Sequence, residues 1–202
     1  PQVYDVSEDG MTYIQENLGD DVLFDVYARA CRTGEGIEQA EDMVCSAIAM
    51  LPKLQFEGAQ GLDFTKCHPL QRFDARSAMF DLNYFKYCFL KAAGIEFHEV
   101  LLQEDFERLA EDLAACALPV AGCFQADVPT FLYRDFQARN VMVRDGQPYF
   151  IDFQSGRRGP VYYDVSSFIW HPRAGYDSAF QERLLETYLT ALSEYINVDR
   201  EV

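Results

Sequence analysis

Three oxygen-bearing side chains carry the chemistry of this sequence. Asp135 sits in Tyr133-Arg134-Asp135-Phe136-Gln137-Ala138-Arg139-Asn140, Asn140 follows it five positions on, and Asp152 comes twelve positions later in Phe150-Ile151-Asp152-Phe153-Gln154. This is the order and spacing of a phosphoryl-transfer site. A carboxylate at 135 can orient an acceptor hydroxyl and take its proton, while an amide at 140 and a carboxylate at 152 offer the hard oxygen ligands that Mg²⁺ selects. The bland alternative is that all three are turn residues, since Asp and Asn abound in loops. D-x-x-x-x-N alone recurs by chance, so the weight rests on the context around it.

That context is a strand, a loop and a hairpin. Phe131-Leu132-Tyr133 is strand-like, and Val141-Met142-Val143 and Tyr149-Phe150-Ile151 flank the turn Arg144-Asp145-Gly146-Gln147. Pairing 141–143 with 149–151 brings Asn140 and Asp152 side by side. The rest of the chain is mostly helical. Val3–Val6 and Thr12–Gln15 form a first hairpin around Ser7-Glu8-Asp9-Gly10, and Asp20 caps a helix to about Arg32 that Gly34 and Gly36 terminate. Ala40, Val44, Ala47, Ile48 and Leu51 recur at helical spacing until Pro52. Residues 56–73 read as irregular. Asp74 caps a helix ending near Gly94, a further helix runs from His98 to Leu118, and Pro119 and Pro129 bracket a short connection. Gly159-Pro160 opens a helix through Ile169, and the last spans Ser178 to Tyr195. The predicted fold class is α+β, predominantly helical, with a small catalytic β-hairpin inserted late.

Composition limits the alternatives. The 202 residues, 49% hydrophobic, suffice for a sizeable core. No run of 18 apolar residues marks a transmembrane helix, and the start lacks a signal-peptide pattern. A net charge of −16 argues against nucleic acid and against anionic membranes. Six scattered cysteines without a C-x-x-C pair suggest free thiols in a reducing cytoplasm.

The Tyr133–Asn140 and Phe150–Gln154 motifs, with Gly159-Pro160-Val161-Tyr162-Tyr163-Asp164-Val165, resemble the aminoglycoside phosphotransferase (APH)/choline kinase-like family of protein-kinase-like small-molecule kinases. The resemblance implies the C-terminal lobe of the protein kinase-like fold. It makes Asp135 the catalytic base and Asn140 and Asp152 the Mg²⁺ ligands, with ATP as phosphoryl donor. Asp164 looks like the buried acid that holds the catalytic loop, supported by Tyr133. Tyr133 stands where the family usually has His, and Gln137 where a second His is common. Gln154-Ser155 in place of a Gly after Asp-Phe fits a small-molecule acceptor. Tyr13–Asp20 resembles the family's hinge, whose backbone around Glu16, Asn17 and Leu18 would meet the adenine edge. Asp74-Ala75-Arg76 and Phe80–Tyr87, with Asp81 and Asn83, would shape the acceptor pocket. Trp170-His171-Pro172-Arg173 would line the same groove, His171 being structural or solvent-facing. Arg134 and Arg139 suit phosphate or salt bridges equally.

What the motifs lack is a cover for the ATP phosphates. Gly10 is the sole glycine before the hinge, and Lys53, Lys66, Lys86 and Lys91 all lie downstream of it. The expectation is therefore a fragment: residues 1–19 as the remnant of an upper-lobe hairpin and hinge, residues 20–202 as the helical catalytic lobe, and the upper lobe as a missing partner of the same polypeptide. Alone, such a fragment is expected to bind ATP weakly and turn over negligibly. The whole protein reads as an ATP-dependent kinase for a hydroxyl of a sugar, amino sugar or amino alcohol. The alternatives are a pseudokinase-like regulatory module, which the intact Asp135, Asn140 and Asp152 argue against, and an aminoglycoside resistance kinase, from which Tyr133 and Gln137 depart. A scaffold role has no feature in its favour.

Overall fold

In the computed structural model, described for residues 1–115 and 130–198, the chain opens on an antiparallel hairpin of β1 (Val3–Val6) and β2 (Tyr13–Gln15). Ser7 closes it, its amide and hydroxyl both donating to the Thr12 carbonyl at 2.8 and 3.0 Å. The polypeptide divides into two units. One holds residues 1–52, 134–154 and 164–192; the other holds residues 53–133, 155–163 and 193–202. No helix among the described residues is long and apolar enough to cross a membrane.

In the first unit, α1 (Leu23–Thr33) starts later than an Asp20 cap would place it; its N-cap is Val22, without a capping side chain. A competing partner explains the delay. The Asp21 carbonyl accepts from the Val143 amide at 2.7 Å, and Val22 bridges Met142, so the backbone stays extended through Val22. Gly34 ends α1 in the left-handed region (φ 73°), its N–H on the Ala30 carbonyl. α2 (Ile37–Ala49) buries Ala40, Val44, Ala47 and Ile48. α7 (Ser178–Leu192) buries Phe180, Leu184, Tyr188 and Leu192, one residue per turn. The two helices pack together, and Arg183 on α7 clamps Glu41 at 2.9 Å and Asp42 at 2.8 Å. α7 stops at Leu192 rather than Tyr195. Pro52 does not end the helical region either. The chain resumes at Leu51 as α3 (Leu51–Phe56), with Pro52 in the first turn, where a missing N–H forfeits no helical bond.

In the second unit, Asp74 caps α4 (Ala75–Phe85), its Oδ1 accepting from the Ser77 amide at 2.9 Å and hydroxyl at 3.0 Å. Burial pushes the Asp74 carboxyl up, but the Ser77 donors and Arg72 outweigh it and hold the group below its ordinary value. Beyond Phe85 the helix loosens into a π-turn over Lys86–Leu90 instead of continuing as α. α5 (Glu99–Ala115) packs on α4 around Phe73, Ala78, Ala110 and Leu132. The expected end of this helix at Leu118, the Pro119–Pro129 connection, and Cys116 and Cys123 lie outside the described residues. Cys31, Cys45, Cys67 and Cys88 are free thiols.

β3 (Phe131–Leu132) pairs antiparallel with a strand the sequence did not advertise, β6 (Arg157–Arg158). The pairing explains Gly159. A Cβ built there would stand 2.8 Å from Leu132 Cβ and 2.7 Å from its Cδ2, while the Gly159 carbonyl accepts from Thr130 Oγ1 at 2.7 Å. Leu132 is fully buried and has nowhere to go. Gly159→Ala is therefore expected to destabilise the fold by about 1–3 kcal/mol. Chemical denaturation checks this, and an unchanged midpoint would show that Leu132 can yield.

Candidate functional site

The hairpin that carries the site is β4 (Val141–Arg144) and β5 (Gln147–Phe150), Val141 opposite Phe150 and Arg144 opposite Gln147. Asp145 (φ 51°) and Gly146 (φ 72°) supply the two left-handed residues that a tight two-residue turn demands. The ladder extends one step past β4, because the Asn140 carbonyl accepts from the Ile151 amide at 3.1 Å. Asn140 thus stands opposite Ile151, with Asp152 the next residue on the return strand. Asp152 itself takes φ 71°, a left-handed conformation rarely adopted by an L side chain.

On the other side Asn140 reaches back to the loop. Its Nδ2 donates to the Asp135 carbonyl at 2.8 Å, and its own amide donates to Gln137 at 2.8 Å, so residues 135–140 form one closed turn. That bond uses the amide nitrogen of the Asn140 side chain and leaves Oδ1 outside it. Among the described residues neither the Asp135 nor the Asp152 carboxylate has a hydrogen-bond or ion-pair partner. The fold therefore holds the backbone of Asp135 and Asn140, carries Asp152 one residue beyond the bonded Ile151, and uses none of the three side-chain oxygens. No group of three His, Cys, Asp or Glu side chains among the described residues is placed to hold a metal. The candidate set differs in kind, being two carboxylates and an amide oxygen. An all-oxygen set of this sort fits a hard cation such as Mg²⁺ and offers nothing to a thiophilic one.

Burial aims the loop. Phe136 is 1% exposed and its ring lies 5.4 Å from Phe150 and 5.1 Å from Phe168. With Phe136 directed into the core, the preceding Asp135 faces solvent. α6 (Val161–Ile169) adds the anchor. Asp164 on this helix is fully buried, and its Oδ1 accepts from the Arg134 amide at 2.8 Å. Arg134 has φ 81°, so the residue before Asp135 is held in a conformation costing about 1–3 kcal/mol. Tyr133 is buried, its ring 6.3 Å from Phe131 in an edge-on arrangement.

The hinge-like segment is tied to the same hairpin. Arg144 Nη1 donates to Glu16 Oε1 at 2.7 Å and to the Asn17 carbonyl at 3.1 Å, and the Glu16 amide donates to the Gln2 carbonyl at 2.8 Å. Leu18 is buried. Among the described residues the Glu16 carbonyl and the Leu18 amide have no partner. Those two groups, with the Asn17 amide and the Leu18 carbonyl, are the backbone groups of this segment left open.

The residues named for the acceptor pocket divide. Asp81 accepts from the Tyr163 hydroxyl at 3.0 Å, and Asp74 is a helix cap, so both have structural work. Phe80 and Tyr84 are exposed. A cleft that the sequence did not assemble lies instead beside the 134–140 loop. Gln137 and Arg139 line it from the loop, Phe24 from α1 and Phe168 from α6, with His171 and Arg173 beyond; it holds about 380 Å³ of empty space, part of it open solvent. Burial, then Arg139 and Arg173, lower the His171 pKa below its ordinary value. Arg139 thus shares its surroundings with a second arginine, which spacing along the chain conceals.

A family model described as the Phosphotransferase enzyme family (APH) matches residues 9–201, and the chain belongs to that family. Similar solved structures include the ADP-bound aminoglycoside phosphotransferase APH(2'')-Ib, at 15% identity over 90% of this chain and 58% of that one, with a TM-score of 0.46. Another is the streptomycin–ATP complex of APH(2'')-IIa, at 11% identity over 90% and 59%, with a TM-score of 0.47. A third is the macrolide 2'-phosphotransferase MphH from Brachybacterium faecium, at 16% identity over 95% and 51%, with a TM-score of 0.40. The chain thus spans 51–59% of the length of these proteins. A search of curated protein sequences found no match.

Proposed function

We propose that this chain is the catalytic lobe of an ATP-dependent kinase that transfers the γ-phosphate to a hydroxyl of a small molecule, of the sugar, amino sugar or amino alcohol class. One observation carries the reading. A single closed turn fixes Asp135 and Asn140 through their backbones, the hairpin brings Asp152 in one residue beyond Ile151, and the fold leaves the Asp135 and Asp152 carboxylates and Asn140 Oδ1 unused. In this reading Asp135 accepts the hydrogen of the acceptor hydroxyl and takes the proton as the oxygen attacks phosphorus. Asn140 Oδ1 and Asp152 would hold Mg²⁺, which supplies neutralisation of phosphate charge when bound. Asp164, with Tyr133 packed before the loop, keeps Asp135 in place.

The Glu16 carbonyl and Leu18 amide would take the amino group and ring nitrogen of adenine, with Asn17 between them. The segment that covers the phosphates, in this proposal, comes from an upper lobe outside these 202 residues, and the enzyme works in the cytoplasm, where ATP is supplied. ADP release by the full-length protein with Mg²⁺ and ATP, across a panel of sugars, amino sugars and amino alcohols, tests the reading. Silence across the whole panel would overturn it.

Arg144 offers a smaller check on the hinge. Its contacts to Glu16 and Asn17 are partly exposed and worth about 0.2–1 kcal/mol. Arg144→Ala is expected to raise the KM for ATP by up to about fivefold, following that energy, while kcat stays nearly constant. A change confined to the KM of the acceptor would remove Glu16, Asn17 and Leu18 from the nucleotide site.

A further inference from the structure

The cleft beside the catalytic loop has the wrong charge for the rest of the molecule. The chain carries 33 acidic against 17 basic residues, yet no side chain lining the cleft is acidic, and two arginines and a histidine face it. Elsewhere Arg29, Arg108, Arg144 and Arg183 each have a carboxylate within 4 Å, while Arg32, Arg72, Arg76 and Arg158 stand singly without one among the described residues. Arg139 and Arg173 have none among the described residues. An unpaired arginine at one exposed point is ordinary. Two facing the same concavity repel each other, and the arrangement holds its charge open for an incoming anion.

The local bonding is consistent with that use. Arg139 Nε donates to Gln137 Oε1 at 2.8 Å, which fixes the guanidinium by one edge and leaves its terminal nitrogens as donors. His171 Nδ1 accepts from the Arg173 amide at 3.2 Å, so the neutral imidazole carries its proton on Nε2, a third donor. Burial first, and then the charges of Arg139 and Arg173, hold the His171 pKa below its ordinary value. Phe24 and Phe168 contribute apolar walls for the carbon skeleton of a small ligand. Position matters as much as charge. Arg139 lies four residues after Asp135 and immediately before Asn140, within the closed turn, so a molecule anchored at Arg139 is held at the catalytic loop.

We infer that the Arg139–His171–Arg173 cleft is an oxyanion-binding acceptor subsite, and that the acceptor carries a carboxylate or phosphate group in addition to its reacting hydroxyl. This rests on the kinase reading for the word acceptor, though not for the anion. An acidic acceptor also sets the subsite against a polycationic drug, which two arginines would repel.

The test separates the two layers. Ligand-observed NMR on the full-length protein without nucleotide would follow lactate and glycerol by proton signals and inorganic phosphate by phosphorus signals. Binding of lactate or phosphate in the millimolar range, at least tenfold weaker in both Arg139→Gln and Arg173→Gln, with no comparable binding of glycerol, is the expected result. The tighter of the two anions assigns the carboxylate or phosphate ester. Glycerol binding as well as the anions, absence of anion binding, or unchanged affinity in both variants would overturn the inference. Arg173→Gln lies outside the loop, so a folding defect in the Arg139 variant does not decide the outcome. The ADP-release panel, extended to carboxylate- and phosphate-bearing members of the same classes, reports on the layer beneath. If anions bind through both arginines but no acceptor releases ADP, the kinase reading fails and the anion cleft stands. If neutral and acidic acceptors are phosphorylated with equal kcat/KM, the kinase stands and the subsite falls.

Discussion

On the proposed kinase reading, Asp135→Asn in the full-length protein is expected to turn over about 10²–10⁴ times more slowly than the unaltered protein, the usual contribution of a positioned general base. The KM for ATP stays nearly unchanged, because nothing in the hinge or hairpin touches the Asp135 carboxylate. The size of the effect follows from how the group is held. Asn140 bonds the Asp135 carbonyl and Phe136 is locked among Phe150 and Phe168, so the backbone conformation survives the substitution. Asp135 is exposed and its carboxylate is partnerless among the described residues, so stability should change by no more than about 0.5 kcal/mol, as at surface sites generally. A residue whose loss costs nothing in folding and nearly everything in rate is working on substrate. Steady-state kinetics paired with a denaturation curve make the comparison. A variant with native kcat removes Asp135 as the base, and one that unfolds shows that its carboxylate has structural work.

How much of this was legible in the sequence depends on whether the signal was local. Asp145-Gly146 forced a tight turn whatever surrounded it, so the hairpin register, and with it the approach of Asn140 to the Asp152 strand, followed from a dozen consecutive residues. Asp74 and Gly34 are equally local: a capping carboxylate two or three residues from its donors, and a left-handed stop. The misses are long-range. Asp20 is a better capping residue than Val22, but the bond from Val143 to Asp21 decides where α1 begins, and Val143 lies more than a hundred residues away. β6 is two arginines whose strand character comes from pairing with β3 on one side and from the bridge of Arg158 to Arg72 on the other, both distant in sequence. The cationic cleft is the clearest case. Arg173 is expected in the acceptor groove and Arg139 at phosphate or a salt bridge, but that the two line one cleft emerges only when α6 carries the chain back. Geometry built on one loop is readable from a motif, whereas a cleft built from several elements appears only with the fold.

Asp164→Ala should bring the second large loss, and for a different reason. Asp164 is fully buried and receives the Arg134 amide at 2.8 Å, a charge-assisted bond worth about 1.5–3 kcal/mol. Removing the acceptor leaves that N–H without its carboxylate and releases Arg134 from its left-handed backbone, whose strain is about 1–3 kcal/mol. Relaxation of Arg134 moves the next residue, Asp135, and a displacement near 1 Å at a reacting group costs on the order of 10²-fold in rate. The expected variant therefore loses about 2–4 kcal/mol of stability, the combined reach of a lost charged bond and a buried vacancy. At temperatures where it is still fully folded, its kcat falls about 10²-fold while the KM for ATP holds. Asp164→Asn separates the contributions: its amide oxygen can still accept from Arg134, so it should recover most of the rate even where it recovers less of the stability. A purely structural role predicts the reverse, a kcat that is native whenever the chain is folded and falls only with the folded fraction. Native kcat in folded Asp164→Ala would therefore reduce Asp164 to a core residue and leave the aim of Asp135 to Phe136 and Asn140 alone.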